Sequence, residues 1–190
     1  MKPGSRVLGV AESYRGGRSP GDPSTLAGAV VRADRSVDGL VFGSLAVGGT
    51  DATDALIELF SELDREDVQY LLVAGIAPAW YNLLDLHELS AAVERPVCSV
   101  SFEDSAGLEA PLREAFSGEE LERRLAVYER QPPRKRMEVN GHGLYWRGIG
   151  IDPGEARELL STLTPEGGRP EPLRVARLAA RAADRFRGDL

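Results

Sequence analysis

The sequence predicts an α/β fold built on a mixed sheet. Two features carry that reading: three β-rich runs precede any helical spacing, and helices and strands alternate after them. A third is size. At 190 residues with 42% hydrophobic side chains, the chain fills one core, and the expectation is one domain over residues 1–190.

Arg6 to Val10 reads as a short first strand, followed by the polar, Gly- and Pro-rich loop Ser13 to Ser24. Thr25 to Arg32 and Val37 to Val47 are β-rich and flank Ala33 to Ser36, the turn of a hairpin. From Asp51 to Leu63 the period changes, with Ala55, Leu56, Leu59, Phe60 and Leu63 at helical spacing. Gln69 to Ala74 is a strand, Leu84 to Val93 a helix that stops before Pro96, and Val97 to Phe102 a strand. This β-β-β-α-β-α-β series is the ribonuclease H-like order. It predicts a five-stranded mixed sheet with the first strand central, parallel to the fourth and antiparallel to the second. Helices at Glu109 to Phe116 and Glu119 to Glu129, the basic segment Pro132 to Arg136, and a hairpin of Met137 to Val139 with Leu144 to Ile149 follow. Helices near Pro153 to Leu163 and Leu173 to Arg187 close the chain.

Composition narrows the function. The longest apolar stretches, such as Tyr70 to Ala74, are far short of the roughly 20 residues that span a bilayer, so no membrane partner is expected. Met1 to Arg6 lacks a secretory pattern and Cys98 is the only cysteine, which fits a reducing cytoplasm. Cys98 sits in the apolar run Val97 to Val100 and reads as a core residue. A net charge of −7 argues against coating nucleic acid through an overall field, leaving local basic patches as the route to phosphate. Lys2 and Lys135 are the only lysines, so arginine supplies almost all positive charge.

Several segments combine acids with turn residues. Gly48-Gly49-Thr50-Asp51 lies where the third strand enters the first helix, and Asp51 reads either as a helix cap or as a ligand for a hard cation such as Mg²⁺. Glu12, directly after the first strand, is an exposed loop glutamate or a second ligand. Asp85 closes the segment after the fourth strand as a cap or a third ligand. Trp80, Tyr81 and Asn82 offer faces and an amide for a nucleobase, or fill the core. Asp152-Pro153-Gly154-Glu155 has the pattern of a helix cap. Arg174, Arg177, Arg181 and Arg185 form a stripe on the last helix, a solvated face or a DNA backbone contact. His87 and His142 lie apart, without a zinc pattern, and neither a P-loop nor a nucleophile elbow is present.

Taken together, Leu8-Gly9-Val10, Gly49-Thr50-Asp51-Ala52-Thr53, Gly75-Ile76-Ala77 running to Asn82-Leu83-Leu84-Asp85, Arg95-Pro96-Val97 and Arg169-Pro170-Glu171-Pro172-Leu173-Arg174-Val175-Ala176 resemble the archaeal endonuclease dU family, distant relatives of endonuclease V. The resemblance implies a ribonuclease H-like fold and Mg²⁺- or Mn²⁺-dependent cleavage of DNA near a deaminated base, deoxyuridine for that family. By motif position it implies Glu12, Asp51 and Asp85 as catalytic and metal-binding acids, converging on one site. Trp80, Tyr81, Asn82 and Arg174 would contact the substrate. The chain departs from the pattern at Ala11, where the family carries an additional acid, and at Ala74-Gly75, where endonuclease V carries an aspartate. The alternative is therefore a ribonuclease H-like domain that binds nucleic acid or a partner without cleaving.

Overall fold

The computed structural model describes residues 1, 2 and 4–188. Its first strand, β1 (Arg6–Glu12), buries Val7, Leu8, Val10 and Ala11, side chains that point to both faces, as befits a central strand covered on both sides. β2 (Pro23–Arg32) lies antiparallel to it, with Glu12 opposite Leu26, and β3 (Val37–Ala46) lies antiparallel to β2. α1 (Ala52–Leu63) leads to β4 (Val68–Ala74), parallel to β1 on its other side. A turn α2 (Pro78–Tyr81) and α3 (Leu86–Val93) lead to β5 (Val97–Ser101), parallel to β4. Then come α4 (Glu109–Ala115), α5 (Gly118–Glu129), the hairpin β6 (Lys135–Val139) and β7 (His142–Ile149), α6 (Pro153–Thr162) and α7 (Glu171–Gly188).

The expected pairing of the first strand is met, but among the described residues the sheet has seven strands rather than five. Its order is β3-β2-β1-β4-β5-β7-β6. The C-terminal hairpin is not an appendage: β7 pairs antiparallel with β5, Val97 opposite Ile149 and Ser101 opposite Tyr145. The reason is physical. β5 buries Val97 to Val100 on both faces and needs a neighbour on its open side, which the alternating residues of β7 supply.

One face of the sheet carries Leu8, Val10, Leu71 and Val73 against α1 and α3. The other carries Val7, Leu72, Cys98 and Trp146 against α6 and the start of α7. α7 lies flush on β1 because Gly9 has no side chain: a Cβ there would stand 2.4 Å from the carbonyl carbon of Pro172. Farther along, Asp184 accepts from Arg18 Nη2 at 2.6 Å and Thr25 Oγ1 at 3.0 Å, tying the helix to the loop before β2. Among the described residues no helix is long and apolar enough to cross a membrane. Parallel β1, β4 and β5 end together, and in open α/β sheets the crevice at those carboxyl ends is where ligands sit.

Candidate functional site: an arginine-lined cleft and the acids around it

Asp51 occupies the N-cap position of α1, yet its side chain makes no cap bond to that helix. It turns back instead, accepting the Ala46 N–H at 3.1 Å and Asn82 Nδ2 at 2.5 Å. Asn82 is fully buried. Its Oδ1 accepts the Ala52 N–H at 2.9 Å and its Nδ2 also donates to the Ala46 carbonyl at 2.8 Å. The first amide of α1 is thus capped from a segment 30 residues away. Arg124 on α5, 2% exposed, completes the joint. Its guanidinium donates to the carbonyls of Gly48, at 2.6 Å, and Tyr81, at 3.2 Å, and stacks over Phe116 at 3.9 Å. That grip holds α2 in an unusual form, since Ala79, Trp80 and Tyr81 have φ of 44°, 61° and 59°, left-handed values that side chains disfavour.

Asp85 is the cap of α3. Its Oδ1 accepts the N–H groups of His87 at 2.9 Å and Glu88 at 3.2 Å, and its Oδ2 pairs with Arg130. Glu12 ends β1, where its Oε2 accepts Ser24 Oγ at 2.8 Å and the Tyr14 N–H. It borders a small depression with Ala74 and Gly75 at the end of β4. Asp152 caps α6 as its pattern predicts, accepting from Gly154 N at 2.8 Å and Glu155 N at 3.0 Å.

Glu12, Asp51 and Asp85 therefore stand in three separate hydrogen-bond networks. The expected convergence into one metal site is not what the structure forms: among the described residues no three His, Cys, Asp or Glu side chains gather to hold an ion. Hard cations need several unoccupied oxygens within about 2.1–2.6 Å of one point. Here both Asp85 oxygens are engaged by helix amides and an arginine, and the carboxyl end of β4 offers Ala74 and Gly75. The residues present do not fit such a cage.

A concavity shares Ala74 and Gly75 with the depression beside Glu12. A cleft of about 360 Å³ opens over the carboxyl ends of β4 and β5, from Ala74-Gly75 to Ser99 and Ser101. Four arginines line it: Arg134, Arg147, Arg169 and Arg177. The alternation of β7 places Arg147 on the sheet face of Tyr145 and Ile149, opposite Trp146. Arg134 stacks over Tyr145 at 4.0 Å and donates to Ser101 Oγ at 3.2 Å, while Arg147 lies over Tyr128 and donates to the Pro132 carbonyl. On the other face Arg169 stacks over Phe102 at 4.4 Å, and Arg177 approaches from α7. Burial pulls the guanidinium of Arg147 below its ordinary value, and burial with Arg177 and Arg181 nearby does the same for Arg169. Arginine keeps its charge through such shifts, so the cleft is cationic in a protein of net charge −7. Its volume, aromatic walls and guanidinium groups suit a planar heterocycle carrying phosphate.

A family model described as Endonuclease dU matches residues 3–184. The chain belongs to the endonuclease dU family. A UPF0215 protein of Pyrobaculum aerophilum is 34% identical over 180 residues, 94% of each chain. A protein of unknown function from Archaeoglobus fulgidus has the same fold, with a TM-score of 0.81 at 26% identity over 94% of this chain and 97% of that one. Endonuclease V of Ciona intestinalis, solved in complex with a 24mer DNA containing an inosine followed by a ribo-adenosine, gives 0.63 at 12% identity, covering 96% and 87%. That likeness extends the shared α/β fold, with its mixed sheet, to endonuclease V.

In this member of the endonuclease dU family the residues expected to contact a substrate lie away from the cleft. Trp80 and Tyr81 pack with Phe116, ring centroids 5.4 and 6.0 Å from it, and Asn82 is structural. Arg174 is exposed and paired with Glu171 at 2.6 Å. Its neighbours Arg177 and Arg181 are half-buried, and Arg177 lines the cleft. Arg134, Arg147 and Arg169 were not singled out by sequence reading. The basic run Pro132 to Arg136 contains Arg134 and the block Arg169 to Ala176 begins with Arg169, while Arg147 looks like any outward residue of a hairpin strand.

Proposed function

We propose that this protein is a nuclease acting on DNA that carries a deaminated base, deoxyuridine above all, on a ribonuclease H-like scaffold. The observation that carries the reading is the four-arginine cleft at the carboxyl ends of β4 and β5. Membership of the endonuclease dU family and a fold shared with an endonuclease V bound to inosine-containing DNA support it. The target nucleotide leaves the duplex and enters the cleft. Extrusion costs a few kcal/mol and is cheapest for a mispaired base, which supplies part of the selectivity. Phe102 and Tyr128 offer stacking surfaces, and the arginines hold the flanking phosphates. Glu12 is the acid we assign to the reacting end, because it borders Ala74 and Gly75, which also line the cleft. Asp51 and Asp85 are assigned positioning roles. Mg²⁺ or Mn²⁺ is the ion the family resemblance implies, and since the carboxylates do not form its cage, no step is assigned to it.

A second reading, binding without cleavage, is favoured by one specific observation, the separation of the three acids into independent networks. One experiment separates the two. A uracil-containing duplex and its uracil-free twin are incubated with the protein at matched binding occupancy, with EDTA, Mg²⁺ or Mn²⁺. Nicking confined to the uracil duplex supports the nuclease reading. Tight binding without a nick in all three conditions supports the second.

A further inference from the structure

Three arginines at one edge of the cleft stand out because, among the described residues, none of them has an ion-pair partner. Arg169 comes from the loop before α7, and Arg177 and Arg181 lie one turn apart on that helix, so their side chains share a face. The chain carries 30 acidic residues, and four other half-buried arginines are matched, Arg6 and Arg65 to Asp38, Arg18 to Asp184 and Arg32 to Asp34, as is the buried Arg124 to Glu120. Among the described residues none of Arg169, Arg177 and Arg181 makes an ion pair or a hydrogen bond. The Nε of Arg181 is buried without any acceptor. Glu12 and Arg15 are the other charged groups whose fields reach Arg181, and the Glu12 Oε2 is already held by Tyr14 and Ser24. Burial and mutual repulsion both disfavour the charge on Arg169 and Arg181. Gathering like charges with an orphan donor costs stability, and a bound anion with several acceptor oxygens removes that cost.

We infer that Arg169, Arg177 and Arg181 form a phosphate-binding subsite on the α7 side of the cleft, distinct from Arg134 just before β6 and Arg147 on β7. The position agrees. Arg169 and Arg177 line the cleft itself, so a phosphate held there stays covalently within reach of a base seated between Phe102 and Tyr128. The occupant is a phosphate monoanion or diester, and the DNA strand as its source rests on the proposed function. The subsite as such does not.

The test is the salt dependence of binding of a labelled single-stranded oligodeoxynucleotide, measured in EDTA so that cleavage plays no part. Each phosphate neutralised contributes about 0.7 to the slope of log K against log salt for a single strand. Arg177→Gln and Arg169→Gln should each lower the slope by about that amount. Arg177→Lys, which keeps the charge, should retain it, and Arg157→Gln, an equal charge loss at an exposed position on α6, should leave it unchanged. Melting without ligand is the folding control. Relief of repulsion predicts that Arg177→Gln melts no lower than wild type, so a melting loss overturns the inference, as does an unaltered slope or an equal drop in Arg157→Gln. A second arm uses inorganic phosphate alone. If it raises the melting temperature of wild type but not of Arg177→Gln, the subsite also takes free phosphate. If it stabilises neither while the slope changes stand, the subsite is specific for the strand. Failure to nick uracil-containing DNA sinks the nuclease reading and leaves this result standing.

Discussion

Asn82 donates from Nδ2 to Asp51 Oδ1 at 2.5 Å while its own Oδ1 receives the Ala52 N–H at 2.9 Å. One buried amide therefore bolts the loop after β4 to the start of α1. Removing it strands a carboxylate, a carbonyl and a helix amide. Hydrogen bonds to charged groups contribute about 1.5–3 kcal/mol, so Asn82→Ala should destabilise by at least about 2 kcal/mol in urea denaturation. Asp51→Ala should cost a similar amount, and the double variant much less than the two added together, because they break one network. Additive losses would show that the two side chains act independently.

Asp85→Ala should behave differently from the substitution expected of a metal ligand. It removes the two-amide cap of α3 and leaves Arg130 without its partner. The cap is worth about 0.5–2 kcal/mol, which melting of the variant should register. Oligonucleotide binding at a temperature where the variant is folded should equal that of wild type. A selective loss of binding with normal melting would return Asp85 to the site.

The contrast between Asp85 and Arg147 illustrates what the sequence made legible. Local periodicity placed the helices and strands to within a few residues, and the acids that cap helices could be read from their neighbours. The ribonuclease H-like order also predicted β1 in the centre. The pairing of β7 with β5 could not be read, because register between segments so far apart in the chain, Val97 opposite Ile149, leaves no local trace. For the same reason the cleft was invisible: Arg134, Arg147, Arg169 and Arg177 come from a loop, a strand, a second loop and a helix. Asn82 was singled out as a base contact because an amide beside two aromatics looks like one. Its burial under α1 is a tertiary fact.

Cys98 should be chemically silent in the folded protein. Burial, with Glu155 nearby, pushes its thiol up to about 12, so the thiolate that reacts is scarce at neutral pH. Ellman's reagent at pH 8 should report no free thiol until denaturant is added, and one thereafter. Rapid labelling without denaturant would mean that β5 opens far more readily than its buried position allows.

Acid should weaken the fold through the cluster at the amino end of β1. Hydrogen bonds from Arg6 and then Arg65 hold the Asp38 carboxyl below its usual range, and Arg65 does the same for Asp67. A carboxylate whose value is depressed on folding stabilises the folded state above its unfolded value, near 3.9, and loses that contribution as pH falls through the folded value. Stability should therefore decline below about pH 4. Asp38→Asn should flatten that decline while lowering stability at pH 7, and matching acid limbs for the variant and wild type would exclude the cluster as its cause.

Glu12→Gln is the decisive substitution for the chemistry. The side chain keeps its length and can still accept from Ser24 Oγ and the Tyr14 N–H through its amide oxygen, so the end of β1 and the fold should be preserved. What is lost is the charge and the ability to take a proton, beside the Ala74-Gly75 end of β4 where the cleft begins. Removing a general base of this kind typically lowers rate by about 10²–10⁴-fold. Nicking of a uracil-containing duplex should fall within that range while the affinity for the duplex in EDTA stays within about twofold. Melting should shift little, because the carboxylate is partly exposed and makes no ion pair among the described residues. A variant that nicks at the wild-type rate would remove Glu12 from the reacting end. That outcome would leave the chain without an acid at the carboxyl end of β1 or β4, and binding without cleavage would become the stronger reading.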